Sequence, residues 1–241
     1  MKNFDVGILL RYWPLLLDGA WLTARICAVA FVMGYAIGIL VALLSLVPSR
    51  PLRAIVTAYL VCLRAVPFII LLFLVYYGMP FAGVRAPAFV TGTIALALFA
   101  SAYYAEIVRA AIVALPRGQF ESARVIGMSP LEAMRHIIFP QIVPALLPPS
   151  TNMTLTMVKE SAVLSSITVP ELTYQGLVIQ GNTFAPFEAF AAVTVIYWAV
   201  TIAVARAIGL VERRVGRSRR EQVDRNGIAA SFLSFRGGAA R

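Results

Sequence analysis

One apolar stretch of this chain carries polar side chains at helical spacing. In P-P-S-T-N-M-T-L-T-M-V-K-E-S-A-V-L-S-S, Asn152, Thr156 and Lys159 fall at i, i+4 and i+7, and Thr154, Ser161 and Ser165 form a second polar stripe. Glu160 follows Lys159 directly. Glu106 and Arg109 stand i, i+3 in another apolar stretch, close enough on a helix to pair. Arg64 lies three residues before Pro67, either lining a polar route or marking an inner interface. Such groups recognise, pair and hydrogen-bond, and in an apolar medium they are costly unless satisfied. The stretch around Asn152 therefore reads either as one side of a solute route or as a source of interhelical hydrogen bonds. Lys159 has a local alternative too, pairing with Glu160 or a neighbouring helix.

The elements that must hold these residues are set by composition. Of 241 residues, 60% are hydrophobic and 13% charged. Soluble domains are closer to half apolar and a quarter charged, so this is a membrane protein. A span needs about 20 apolar residues, which leaves room for roughly four to six. Five stretches qualify: Trp21 to Val47, Ile55 to Met79, Phe89 to Ala111, Ile142 to Val169 and Phe187 to Ile208. The expected fold is an all-α, five-span integral membrane bundle over residues 1–215. Residues 216–241 form a basic tail expected to lack regular structure.

The net charge of +10 is concentrated beside the apolar stretches, with E-R-R-V-G-R-S-R-R after the last one. That is the pattern of a membrane anchor facing anionic headgroups, not of a nucleic-acid surface. Arg50 and Arg53 follow the first span, Arg117, Arg124 and Arg135 the third, and the terminal arginines the fifth. Basic loops stay in the cytoplasm, so the N-terminus is expected outside and the C-terminus inside. Arg25 in the first span snorkels toward its outer end. Cys27 and Cys62 show no paired or metal-binding spacing and read as structural thiols, and no metal site is expected. Gly34 and Gly38 have a spacing suited to close helix packing.

Between the third and fourth spans, residues 116–141 form a polar interruption. G-Q-F-E-S-A-R-V-I-G reads as a short helix ending at Gly127, the residue best able to take a left-handed cap. S-P-L-E follows as a capping box, with Ser129 as N-cap, Pro130 at the first position and Glu132 closing it. The spacing predicts a second helix to Phe139, stopped by Pro140, with Leu131, Met134 and Ile138 on one face. Two capped helices outside lipid present a surface for contact, and small Ser122 and Ala123 permit close approach.

This loop resembles the EAA loop of ATP-binding-cassette importer permeases: E-S-A-R-V-I-G, nine residues, then I-I-F-P. Glu121, Ala123, Gly127, Ile137 and Pro140 match in register, while Ser122 replaces an alanine and Phe139 a leucine. Over residues 15–214 the chain resembles the polar amino acid permeases of that group. Their motifs are met by A-Y-Y-A-E-I-V-R-A-A-I, G-Q-F-E-S-A, V-K-E-S-A-V, F-A-P-F-E and L-V-E-R-R. R-A-V-P and K-E-S-A stand where Arg-Gly-Thr-Pro and Lys-Asp-Thr-Ser are usual.

The resemblance implies a subunit of the bacterial cytoplasmic membrane that couples ATP hydrolysis to import but does not itself catalyse it. The loop would be a coupling helix seated in a separate ATPase, with Gln119, Glu121, Ala123, Gly127, Ile137 and Pro140 in the contact. The chain has no G-x-x-x-x-G-K-[ST] loop, so ATP and magnesium fall to that partner and no cofactor is expected here. Further implied partners are an extracytoplasmic solute-binding protein and a second permease chain, identical or similar. Arg64, Asn152, Thr156, Lys159 and Glu160 are the candidate substrate path, Glu106 and Arg109 a structural pair. An importer of opines or other small zwitterions is the alternative within the class. An ion-coupled secondary transporter is the alternative outside it.

Overall fold

The computed structural model describes residues 4–225, and among these every regular element is helical. Helix α1 spans Val6–Ser45, capped by Asp5, whose carboxylate accepts from the Gly7 N–H at 2.8 Å. It begins fifteen residues before the expected start of the first span at Trp21. Arg11 and Asp18 lie exposed on its surface, so their charges do not interrupt it, and Pro14 is carried inside. At 1.5 Å per residue it is about 60 Å long, roughly twice the hydrocarbon thickness.

The expected second span is broken. Helix α2 (Arg50–Ala65) and helix α3 (Phe68–Gly78) meet at 111°. Pro67 supplies the cause, holding Val66 in extended geometry at φ −105°, ψ 135°. Only Val56 and Leu60 of α2 are buried, against Ala102 and Ala105 of helix α4 (Ala88–Val113). Helix α4 follows its expected limits within two residues and is the hub of the bundle. Small side chains let α1 lie against it: a Cβ on Gly34 would stand 2.9 Å from the Ala97 carbonyl oxygen, and one on Gly38 2.8 Å from the Tyr104 Cβ.

Helix α5 (Arg117–Val125) and the single turn α6 (Pro130–Ala133) form the polar interruption. The chain does not stop at Pro140. One π-turn, Met134–Ile138, widens the backbone ahead of the proline, which has no N–H to give. Helix α7 (Phe139–Glu160) then continues with Pro140 in its first turn. Pro144, Pro148 and Pro149 consequently lie inside α7. The π-turn also breaks the expected apolar face, leaving Ile138 buried but Met134 and Leu131 exposed.

A 3-10 stretch, Ser161–Ile167, follows α7 and ends at Thr168 with φ +61°. Helix α8 (Leu172–Thr183) was not expected, because the segment was read as a loop between spans. Helix α9 runs from Pro186 to Arg225. Residues 216–225 are thus helical where an irregular tail was expected, and residues 226–241 lie outside the described residues.

By length and apolarity α1, α4 and α9 to Glu212 are each able to cross a membrane, and the bent α2–α3 pair makes a fourth if counted as one span. Helix α7, with its Ser, Thr, Asn and Pro content, does not meet that measure. Two larger buried clusters stand beside the small one between α2 and α4. The larger joins the middle of α1 to α3, α4, α7 and the 3-10 stretch. The smaller joins the N-terminal half of α1 to α8 and the start of α9 through Leu16, Leu172, Ile179, Ala192 and Ile196.

Candidate functional site

Local sequence shapes the loop. Gly127 takes φ +78°, and the Met128 N–H returns to the Ala123 carbonyl at 3.0 Å, closing α5. A Cβ on Gly127 would meet nothing within 4 Å, so backbone conformation, not crowding within the chain, requires the glycine. The Ser129 N–H and hydroxyl both donate to Glu132 Oε2, at 2.8 and 2.7 Å, and the Glu132 N–H donates back to Ser129 Oγ. These Ser129 bonds, side chain first and then backbone, hold the Glu132 carboxyl below its ordinary value. Glu121, Ala123, Arg124, Met128, Ala133 and Met134 line a shallow groove of about 330 Å³. Ala123 is its buried floor, while Glu121 and Arg124 are exposed. Gln119 of α5 accepts from Gln141 Nε2 at 3.3 Å, and the same nitrogen donates to the Ile137 carbonyl in the π-turn at 2.8 Å.

A second site lies between the end of α1, α2 and the inner part of α4. It is a cavity of about 790 Å³, lined by Arg53, Thr57, Arg64, Tyr103, Glu106 and Arg109 among others. Glu106 takes a bidentate pair from Arg109, with Nε at 3.2 Å and NH2 at 2.9 Å. Arg64 joins them more loosely. Its NH1 is 3.8 Å from Glu106 Oε2, and its guanidinium lies 5.4 Å from the Tyr103 ring centroid. Three guanidinium groups and one carboxylate therefore face this space, and the side chains of Arg64, Glu106 and Arg109 are 43%, 28% and 40% exposed. They remain available to a ligand.

The fourth-span residues are divided between two faces. Ser150 and Thr154 point inward and bond across helices, to Tyr35 at 3.2 Å and Tyr104 at 2.9 Å, whereas Ser161 and Ser165 of the second stripe donate to the nearby Val158 and Ala162 carbonyls. Thr151 donates to Glu212 of α9 at 3.0 Å. Asn152 and Lys159 are exposed on the outer face, and half-buried Thr156 bonds the Asn152 carbonyl at 3.1 Å. Among the described residues neither Lys159 nor Glu160 is in an ion pair. The Arg64 cavity is not lined by Asn152, Thr156, Lys159 or Glu160, so one chain does not unite the whole candidate path.

Glu171 counts in the sequence only as a charge in the loop between the last two spans, yet it is completely buried. It caps α8, accepting from the Thr173 and Tyr174 N–H groups at 2.9 Å each and from the Tyr197 hydroxyl at 2.7 Å. The available signal was a carboxylate between Pro170 and Leu172, directly after the apolar run ending at Val169.

Residues 34–217 match the family described as binding-protein-dependent transport system inner membrane component. The probable glutamine ABC transporter permease protein GlnM of Bacillus subtilis is 32% identical over 214 residues, covering 89% of this chain and 99% of that one. The octopine transport system permease protein OccQ of Rhizobium meliloti is 32% identical over 220 residues, covering 86% and 93%. Among solved structures, the crystal structure of an amino acid ABC transporter with histidines aligns with a TM-score of 0.81 and 35% identity, covering 88% of this chain and 100% of that one. A bundle with a capped polar loop and a charged cavity, matched over most of its length, belongs to the family of binding-protein-dependent transport system inner membrane components, as a permease subunit of an amino acid ABC importer.

Proposed function

We propose that this chain forms the route for a polar amino acid through an ATP-driven importer, working by alternating access. The observation that carries the reading is the charged cavity between α2 and α4. A zwitterion presents a carboxylate and an ammonium group, and the cavity offers Arg64 for the first and Glu106 for the second. The long Arg64–Glu106 separation leaves Arg64 free to exchange partners, while Glu106, held by Arg109 through both oxygens, keeps further lone pairs for an ammonium group.

In this reading the bent α2–α3 pair and α7 with its 3-10 extension complete five crossings, with the N-terminus outside and the C-terminus inside. The groove of α5 and α6 seats a separate cytoplasmic ATPase subunit, which holds ATP and magnesium. A solute-binding protein delivers cargo from the extracytoplasmic side. A second permease chain covers the outer face of α7, bringing Asn152, Thr156 and Lys159 to the junction between subunits.

Import of an opine or a similar solute is the second reading. The octopine permease relative favours it, and so does the excess of guanidinium groups in the cavity, which suits a solute with additional carboxylates. The test is uptake into proteoliposomes holding this chain with a cognate ATPase and solute-binding protein. ATP-dependent accumulation of polar amino acids is expected, with a raised KM for Arg64→Gln. Uptake driven by an ion gradient without ATP would place the chain among secondary transporters instead.

A further inference from the structure

Helix α8 has 12 residues, about 18 Å, too short to cross a membrane. It is held in place unusually closely. On one side Gly19 of α1 faces it, where a Cβ would stand 2.7 Å from Gln175 Cγ and 3.0 Å from Leu172 Cα. On the other side Gly176 faces α9, where a Cβ would stand 2.7 Å from Val193 Cγ2. These two glycines let α8 wedge between the two longest helices of the molecule.

The wedge is tied at its N-terminus by a polar cluster drawn from four elements. Glu171 satisfies the Thr173 and Tyr174 N–H groups, and Thr23 of α1 accepts from the Leu172 N–H at 3.1 Å, so the first three N–H groups of α8 are all met. Thr23 Oγ1 also lies 3.5 Å from Glu171 Oε2. From α9, the Tyr197 hydroxyl donates to the same Oε2 at 2.7 Å and lies 3.1 Å from Thr173 Oγ1. Ser161 completes the cluster. It is fully buried beside Tyr197 and Cys27, and it immediately follows Lys159 and Glu160 at the point where α7 tightens into the 3-10 stretch.

A carboxylate of this kind exceeds what capping needs. Two N–H groups would be served by an aspartate at the N-cap. The longer glutamate reaches a tyrosine on α9 as well, and through it the residue where the candidate path of α7 ends. The geometry points to Glu171 as a positioning residue for translocation: by binding Tyr197 it fixes α8 and α9 to the outer end of α7, so that Lys159 and Glu160 move with the wedge. This rests on the translocation role given above. Glu171 touches no solute in this role and acts through Tyr197 and Ser161.

The test uses the full complex of permease and ATPase in proteoliposomes, with Glu171→Asp, Tyr197→Phe and the double variant. Glu171→Asp keeps an N-cap carboxylate but shortens its reach, and Tyr197→Phe removes only the hydroxyl. Each single variant is expected to assemble, with the KM for liganded binding protein unchanged and maximal ATP turnover and uptake reduced by about tenfold, the weight of one hydrogen bond to a charged group. The double variant should fall no further, because both changes cut the same link. A purely structural role would lower yield and melting temperature while turnover per assembled complex stayed normal, and that result overturns the inference. So does a double variant whose losses multiply. If Glu171→Asp fails to assemble, Tyr197→Phe alone decides by the same KM and turnover criteria. If the wild-type complex moves no amino acid yet hydrolyses ATP, the substrate reading fails, and the turnover comparison still judges the link.

Discussion

The Tyr104 hydroxyl stands 2.9 Å from the Thr154 hydroxyl, joining α4 to α7 inside the bundle. Thr154 already donates to the Ser150 carbonyl at 2.8 Å, so Tyr104 is the donor between them. The Tyr104 ring is fully buried, 4.8 Å from Tyr35 and 5.9 Å from Phe31 between ring centroids. Tyr104→Phe keeps the ring and removes the bond. It should cost about 0.6 kcal/mol, the usual worth of such a bond between membrane helices. Gly38→Val pushes a branched side chain into the Tyr104 Cβ and the Ser101 carbonyl and should cost about 3 kcal/mol or more. Thermal unfolding in detergent separates the two, and equal losses would contradict this account of the α1–α4 contact.

A second prediction concerns how motion leaves the loop. Among the described residues, Gln141 is the one side chain that bonds both Gln119 of α5 and the widened turn before α7. Gln141→Leu should leave the α5 groove intact and keep the ATPase bound. Stimulation of ATP hydrolysis by the liganded binding protein should fall several-fold, since under the proposed coupling the loop is no longer tied to α7. Normal stimulation in the assembled variant would mean that motion travels through the backbone alone.

The capping box gives a prediction in pH. Bonds from Ser129 lower the folded-state value of Glu132 below the ordinary 4.5. A depressed carboxyl contributes stability that is fully present above its unfolded value and lost as pH falls through the folded one. From pH 7 down to about 5 the box should therefore be unaffected, with protection of the Ser129 N–H from hydrogen exchange, which donates to the Glu132 carboxylate, lost only in more acidic solution. Glu132→Gln should abolish that acid-side change. A transition near neutrality would contradict the assignment to Glu132.

These local devices were legible in the sequence because their partners lie within a few residues. Gly127, Ser129 and Glu132 declare a cap whatever surrounds them, and Glu106 with Arg109 declares a pair. Long-range relationships were not legible. Glu171 draws on Thr23, 148 residues away, and on Tyr197, 26 residues away, so its place after the apolar run marks a charge but not the partners that bury it. The π-turn escaped for another reason. Proline usually ends a helix, and only the backbone shows that a wide turn absorbed it. In the second span, Pro67 was visible, but its 111° consequence depends on how α2 rests on α4.

Orientation gives a simple prediction. Ser129 lies exposed in the arginine-bearing loop, and Asn182 lies exposed near the end of α8. With exposed Cys62 changed to serine, a cysteine at Asn182 should react with an impermeant thiol reagent on intact cells. A cysteine at Ser129 should react only after permeabilisation. The reverse pattern would invert the proposed topology.

The last prediction concerns the candidate path, which the fold divides. Arg64 faces the cavity with Glu106, whereas Asn152, Thr156 and Lys159 occupy the outer face of α7 in the single chain. The two sets meet along one route only if a second chain brings its own α7 or cavity alongside. Arg64→Gln removes a guanidinium that would hold the solute carboxylate, and it should raise KM on the order of tenfold or more. Thr156→Val deletes a hydroxyl whose bond within the chain is to the Asn152 carbonyl, so folding should hardly change. Any change in solute ranking for Thr156→Val or Asn152→Leu then reports contact with the solute. Uptake across several amino acids, with assembly checked in parallel, decides the point. If both α7 variants keep normal rates and ranking while Arg64→Gln is impaired, the route runs through the α2–α4 cavity and the outer stripe of α7 serves packing between chains.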